Sequence, residues 1–225
     1  MSKGKDFDVL IVGAGPAGSC AGRSAAERGA RVLIIEKGRQ ISEPVRCAEY
    51  VPRRLAQAVK IPAEAIAQET KAMVTFMPDG EIKKRSAPGL ILHRAKFDQA
   101  LAAKASKAGA KIITGTKAIS NEGGRIQIAG PSGMDEVRAS VIIGADGPDS
   151  TVGSWIGQHN KRFIWAIQHT VVLKQPTHDT EIYFGEQYPG GYAWLFPKGE
   201  WANVGVGLQR ELGGDAKQAL RAFKN

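Results

Sequence analysis

The sequence contains only two cysteines, Cys20 and Cys47, with no CxxC pair, and only four histidines, which form no cluster. That excludes a disulfide framework and a zinc site as organising features, and it suits a reducing compartment. No metal site is expected. No stretch approaches the roughly 18 consecutive apolar residues of a membrane-spanning helix, so an integral membrane protein is excluded. Acidic residues are also scarce, 22 against 31 Lys and Arg, giving a formal charge of +9. Such a surplus suits nucleic acid, anionic lipid headgroups or a phosphorylated ligand, and its sign alone does not choose among them. The basic residues are scattered, as in Lys83-Lys84-Arg85 and Lys161-Arg162, with no interleaved aromatics and no nucleic-acid motif. A solvated surface is therefore expected, and no nucleic-acid partner. Residues 1–8 lead through a short apolar run straight into glycines that need a folded strand and helix. No signal peptide is expected there, and cytoplasmic localisation is the default.

With 225 residues, 43% of them hydrophobic, the chain has the length of one domain and part of another. Residues 6–13 read as a buried parallel strand, because Val9, Leu10, Ile11 and Val12 run without alternation into a glycine turn. A helix over 17–28 with an alanine-rich packing face follows, then a strand over 31–35 closed by Glu36. Further on, strands at 72–77 and 81–84 flank Asp79-Gly80 as a hairpin, and a short strand at 90–93 precedes a helix over 95–108. Strands at 111–120, 125–129 and 136–143 come next, antiparallel and inserted between members of the parallel sheet. The last third reads as strands at 163–173, 181–184, 192–196 and 201–208 and a helix from Asp215. The expected class is α/β, a Rossmann-type βαβ domain with inserted antiparallel strands over 1–158, then the start of a mixed β-sheet substrate domain over 159–225.

Gly13-Ala14-Gly15-Pro16-Ala17-Gly18 forms a GxGxxG pattern between strand and helix. Gly13 permits the tight turn, Gly15 lets the backbone approach a pyrophosphate, and Gly18 lets helix and strand pack closely. Glu36, 23 residues after Gly13, stands where a carboxylate accepts from ribose hydroxyls, with Lys37 beside it. A glycine-rich turn with a solvated glutamate would carry the same letters, but not the strand, turn, helix, strand and acid around them. The stretch from Val141 to Gly144, followed by Ala145-Asp146-Gly147, reads as a buried strand entering an Asp-Gly turn. With His93-Arg94 at the entry to the helix over 95–108, it resembles the cofactor-contacting segments of hydroxylase-like flavoproteins, which implies FAD rather than nicotinamide and contacts from Arg94, Asp146 and Gly147.

Tyr192-Ala193-Trp194-Leu195-Phe196-Pro197-Lys198, followed by Gly205-Val206-Gly207, resembles the YxWxFPK…GxG signature of the geranylgeranyl reductase family of FAD-dependent oxidoreductases. Tyr192, Trp194 and Phe196 alternate, so they share one strand face as an apolar wall with a polar handle. A strand that simply buries aromatics in a core reads the same way. The resemblance implies substrate contacts from Tyr192, Trp194, Phe196, Pro197, Lys198, Gly205 and Gly207. It also implies cofactor contacts from Pro16 and Ala17, and from Cys47 and Ala48 in the loop after the second strand. Cys47 lies between Arg46 and Glu49, surroundings in which reactive cysteines are found; Cys20, inside the first helix, reads as an inert small side chain. Ala118 is expected near the adenine on resemblance alone. The implied reaction saturates double bonds of an isoprenoid or prenyl lipid with reducing power from an external donor, NAD(P)H or ferredoxin. Cys47, Tyr192 and Trp194 are expected at the reacting centre, the proton coming from Tyr192, Cys47 or a water.

A lipid substrate implies transient docking at a membrane surface. Two other readings stand beside this one: a flavin monooxygenase on the same fold, and a silent FAD-binding fragment. The family's members are longer and carry a second Gly-Asp segment beyond the aromatic signature, so the resemblance implies a truncated chain. Gly213-Gly214-Asp215-Ala216 comes too early to be that segment and reads as a loop and helix cap.

Overall fold

The computed structural model describes residues 5–224. In chain order its elements are β1 (Lys5–Val12), α1 (Pro16–Ala26), β2 (Val32–Ile35), β3 (Tyr50–Pro52), α2 (Leu55–Ala58), β4 (Ile66–Phe76), β5 (Ile82–Leu92), α3 (Arg94–Lys107), β6 (Lys111–Ile113), β7 (Lys117–Glu122), β8 (Arg125–Gly130), β9 (Gly133–Gly144), α4 (Thr151–Trp155), β10 (Trp165–Val172), β11 (Thr180–Tyr183), β12 (Tyr192–Lys198), β13 (Trp201–Leu208) and α5 (Ala216–Lys224). They divide into two units. The first combines the chain through Arg46 with Ala95–Lys161; the second combines Cys47–Arg94 with the chain from Arg162.

The first unit is an α/β layer on a sheet of order β6-β2-β1-β9-β8-β7. β1 pairs in parallel with β2 and β9, β2 with β6, and β8 runs antiparallel to both β7 and β9. Leu10, Ile11, Leu33, Ile34 and Ile35 are fully enclosed, as expected of a strand pair covered on both faces. The helix α1 packs Ala21, Ala25 and Ala26 against the sheet as expected, and makes its closest approach at Gly22. A Cβ there would stand 2.5 Å from Ile34 Cδ1, so only hydrogen permits this spacing. The strand expected over 111–120 is two strands, because Gly115 adopts φ +66° and Gly115 N donates to Gly38 O. The end of β9 is less buried than its sequence suggests. Val141 is 51% exposed, since pairing with β8 stops at Arg138 and only β1 continues alongside.

The second unit is a seven-stranded sheet of order β10-β13-β12-β11-β4-β5-β3. The expected hairpin around Asp79-Gly80 is present and longer than predicted, and the short strand at 90–93 proves to be the end of β5. Its membership differs from the contiguous division at 158/159. β4 pairs in parallel with β11, and β3 joins through β5, so residues 47–94 belong with the last third of the chain. One face of β12 and β13 carries Ala193, Ala202, Val204, Val206 and Leu208 against Ala219 and Leu220 of α5. Asp215 caps that helix, its Oδ1 accepting from Lys217 N at 2.7 Å and Gln218 N at 3.2 Å.

Candidate cofactor and substrate sites

In the first unit the three glycines of the turn stand under different constraints. Gly13 has φ +104°, and a Cβ there would lie 2.2 Å from Ala145 O. Gly18 is pressed on the turn itself, its hypothetical Cβ 1.9 Å from Gly13 O. Gly15 has φ −65°, open to any residue, and a Cβ there would meet nothing within 4 Å. Neither backbone nor packing demands glycine at 15, and the space it leaves lies at the start of α1. That helix opens on Pro16 with no side-chain cap and no acidic residue in its first turn. Its first N–H groups and the positive end of its dipole are thus available to an anion.

Glu36 closes the cradle. Its Oε2 accepts from Ala14 N at 2.9 Å and its Oε1 from Gly38 N at 2.8 Å. A carboxylate offers about four acceptor sites, so two remain open on Glu36. Pro16 is half-buried, while Ala17 and Lys37 are exposed. Ala118 is buried in β7 opposite Ile128. Asp146 is occupied by its own helix: it accepts from Ser150 Oγ at 2.6 Å, Thr151 N at 2.7 Å and Val152 N at 3.2 Å, and so caps α4. Gly147 follows at φ +88°, exposed.

In the second unit the loop Cys47–Ala48–Glu49 is tied to one face of the sheet. Cys47 Sγ accepts from Arg94 Nη1 at 2.9 Å and from Glu49 N at 3.3 Å. Gln168 of β10 donates to Cys47 O at 3.0 Å. Glu49 is 4% exposed at φ +74°, and its carboxylate accepts from Arg94 N, Lys198 Nζ and Asn203 Nδ2 at 2.9, 2.5 and 2.7 Å. The Lys198 ammonium, expected at the substrate, is therefore engaged by this loop.

The same sheet face carries the aromatics. Tyr192 and Trp194 have ring centroids 6.0 Å apart, Trp194 and Phe196 6.4 Å, and Phe196 and Tyr50 5.7 Å. Only Tyr192 is exposed; Trp194 and Phe196 pack with Ile91 and, like Pro197, are buried. Gly205 lies under the indole, where a Cβ would be 2.3 Å from Trp194 Cζ2, and Gly207 lies beside it. The glycine pair thus seats Trp194. Sequence reasoning missed Glu49, Asn203, Gln168 and Tyr50. Asn203 carried a signal, as the one polar side chain in the apolar run of β13. Burial raises the Tyr50 hydroxyl above the ordinary tyrosine range.

Parallel strands with a glycine turn at an uncapped helix start and an acid closing the next strand define a dinucleotide-binding domain. The FAD binding domain family matches residues 6–187, and the chain belongs to that family. Residues 164–225 match the geranylgeranyl reductase catalytic domain. A digeranylgeranylglycerophospholipid reductase of Methanothrix thermoacetophila is 38% identical over 96% of this chain and 61% of its own length. One of Methanosarcina mazei is 40% identical over 90% and 54%. The crystal structure of a geranylgeranyl bacteriochlorophyll reductase-like protein from Thermoplasma acidophilum superposes with a TM-score of 0.88 at 35% identity, covering 98% of this chain and 62% of that one. The flavin-dependent brominase Bmp2 triple mutant, at TM-score 0.76 and 21% identity, shares the fold. The chain spans between 54% and 61% of the length of these two curated relatives. FAD is the cofactor of this domain, and the open space at Gly15 fits its pyrophosphate.

Proposed function

We propose that this protein is an FAD-dependent reductase that saturates carbon–carbon double bonds of a geranylgeranyl-type isoprenoid chain in lipid synthesis. The observation that carries the reading is the match of residues 164–225 to the geranylgeranyl reductase catalytic domain, over the strands that bear Tyr192, Trp194 and Phe196. The reductase names of the relatives support it.

Bound FAD, when reduced, supplies a hydride to one alkene carbon, and the other carbon takes a proton. The chain's own part is placement. Gly13, Gly15 and Gly18 form the pyrophosphate cradle with Pro16 and Ala17, and Glu36 accepts from the ribose, with Lys37 beside it. Ala118 lies toward the adenine. Cys47, Ala48 and Arg94 form the loop and helix start that face the flavin, and Asp146 orders the turn that presents Gly147. Tyr192, Trp194 and Phe196 give the apolar surface for the alkene, with Gly205 and Gly207 fixing its shape, while Pro197, paired with Ala202, lies on the opposite face of the strand. Tyr192 and Cys47 are the protic side chains of this set, with water as the other proton source. The reducing power comes from an external donor, NAD(P)H or ferredoxin.

The test uses this chain and a form extended to the length of its relatives. Each is loaded with FAD, its flavin absorbance is read after gel filtration, and it is then incubated anaerobically with a reductant and a geranylgeranyl lipid. The reading expects hydrogen gain by the lipid under anaerobic conditions. No hydrogen gain under anaerobic conditions, with turnover that begins only in a parallel aerobic incubation and adds oxygen to the substrate, would replace it with a monooxygenase.

A further inference from the structure

We infer that Glu49, held by Lys198 and Asn203, is the positioning residue for the Cys47 sulfur. This rests on the reductase reading, in which Cys47 faces the flavin. Glu49 holds a left-handed backbone conformation, φ +74°, that residues with a side chain rarely adopt. Its surroundings overdetermine that conformation. The carboxylate is buried and takes one donor from each of three elements: Arg94 N at the start of α3, Lys198 Nζ on β12 and Asn203 Nδ2 on β13. Glu49 O accepts from Leu92 N at 2.9 Å, and Asn203 Nδ2 also reaches Ala48 O at 3.2 Å. Asn203 is itself oriented by Thr170, whose hydroxyl donates to its Oδ1 at 3.1 Å.

The backbone twist at Glu49 turns its own N–H onto Cys47 Sγ, and the carboxylate that fixes the twist also grips the first peptide of α3. The second donor to the sulfur, Arg94 Nη1, comes from that same residue. Both donors on the sulfur therefore depend on one carboxylate. A loop that only needed to be closed would require neither a buried charge nor a left-handed non-glycine residue.

The test replaces Glu49 by Gln, which keeps the size but turns an amide N–H toward Lys198 and Asn203. In the FAD-loaded protein, E49Q lowers kcat roughly ten- to a hundredfold with KM little changed. In a C47A background the same substitution has no further effect on kcat, because Glu49 acts through the sulfur. Independently of turnover, the iodoacetamide alkylation rate of Cys47, read by peptide mass spectrometry with exposed Cys20 as internal control, rises several-fold in E49Q as the loop is released. K198M gives the same pattern in weaker form and serves if E49Q fails to fold. An unchanged Cys47 alkylation rate, or an equal loss of kcat in both backgrounds, overturns the inference. If C47A alone leaves turnover intact while alkylation still responds to E49Q, the positioning stands and the reading of Cys47 at the flavin falls.

Discussion

Gly13, Gly15 and Gly18 belong to one motif, yet only Gly15 is free of both steric and backbone demand. G15A is therefore predicted to leave the melting temperature unchanged or slightly raised, since an alanine at φ −65° restricts the unfolded chain, while weakening FAD by about tenfold or more, about 1.4 kcal/mol. Flavin fluorescence titration beside thermal melting reads both. G18A drives a methyl into Gly13 O and should lose folding and FAD together. Asp8 gives a prediction of another kind. Arg31 holds its carboxyl below the ordinary carboxylate value, first through side-chain hydrogen bonds and then through its backbone N–H. A depressed acid stabilises above its unfolded value and loses that contribution as pH falls through the folded one. D8N should thus flatten the acid limb of a melting-temperature profile, by a small amount because the pair is exposed. The Gly13–Gly18 turn and Glu36 were legible as residues because their order along the chain is the signal. Glu49 was not, since its left-handed backbone is imposed by partners up to 154 residues away and nothing local announces it.

At the scale of elements, β12 and β13 have two faces with separate duties: one packs on α5, the other carries Trp194, Phe196 and Asn203. G205A pushes against the indole of Trp194 and should cost about 1–3 kcal/mol as overpacking. L220A, on the opposite face, opens a cavity under α5 and should cost about 2–5 kcal/mol. Urea unfolding measures both, and the aromatic site should respond only to the first, through Trp194 fluorescence. Alternation along 192–196 announced this strand and its aromatic side, but not that two of the three rings would be buried. The hairpin of β4 and β5 was equally visible from Asp79-Gly80. Its place in the second sheet was not, because that depends on β11, where Thr180 and Ala72 meet across 108 residues of sequence. Parallel pairing at such separation leaves no local pattern to read.

For the molecule as a whole, no helix among the described residues is long and apolar enough to cross a membrane, and the chain carries a formal charge of +9. Part of the charge is already paired: Lys83 lies 2.8 Å from Glu81 and Lys84 2.5 Å from Asp179. If the substrate is a lipid, the remaining surplus should draw the protein to anionic vesicles at low salt and release it as salt rises, about 1 kcal/mol for each basic residue near the surface. Failure to sediment with such vesicles would leave the lipid to be delivered by other means. The central claim is tested most directly by a single anaerobic turnover. The FAD-loaded protein is reduced, mixed with a geranylgeranyl lipid in deuterated water, and the lipid is weighed by mass spectrometry. The account predicts flavin reoxidation matched by one hydride equivalent and one proton gained per double bond, both carrying solvent deuterium because the N5–H of reduced flavin exchanges with the water; flavin that stays reduced, with the lipid unchanged, would contradict it.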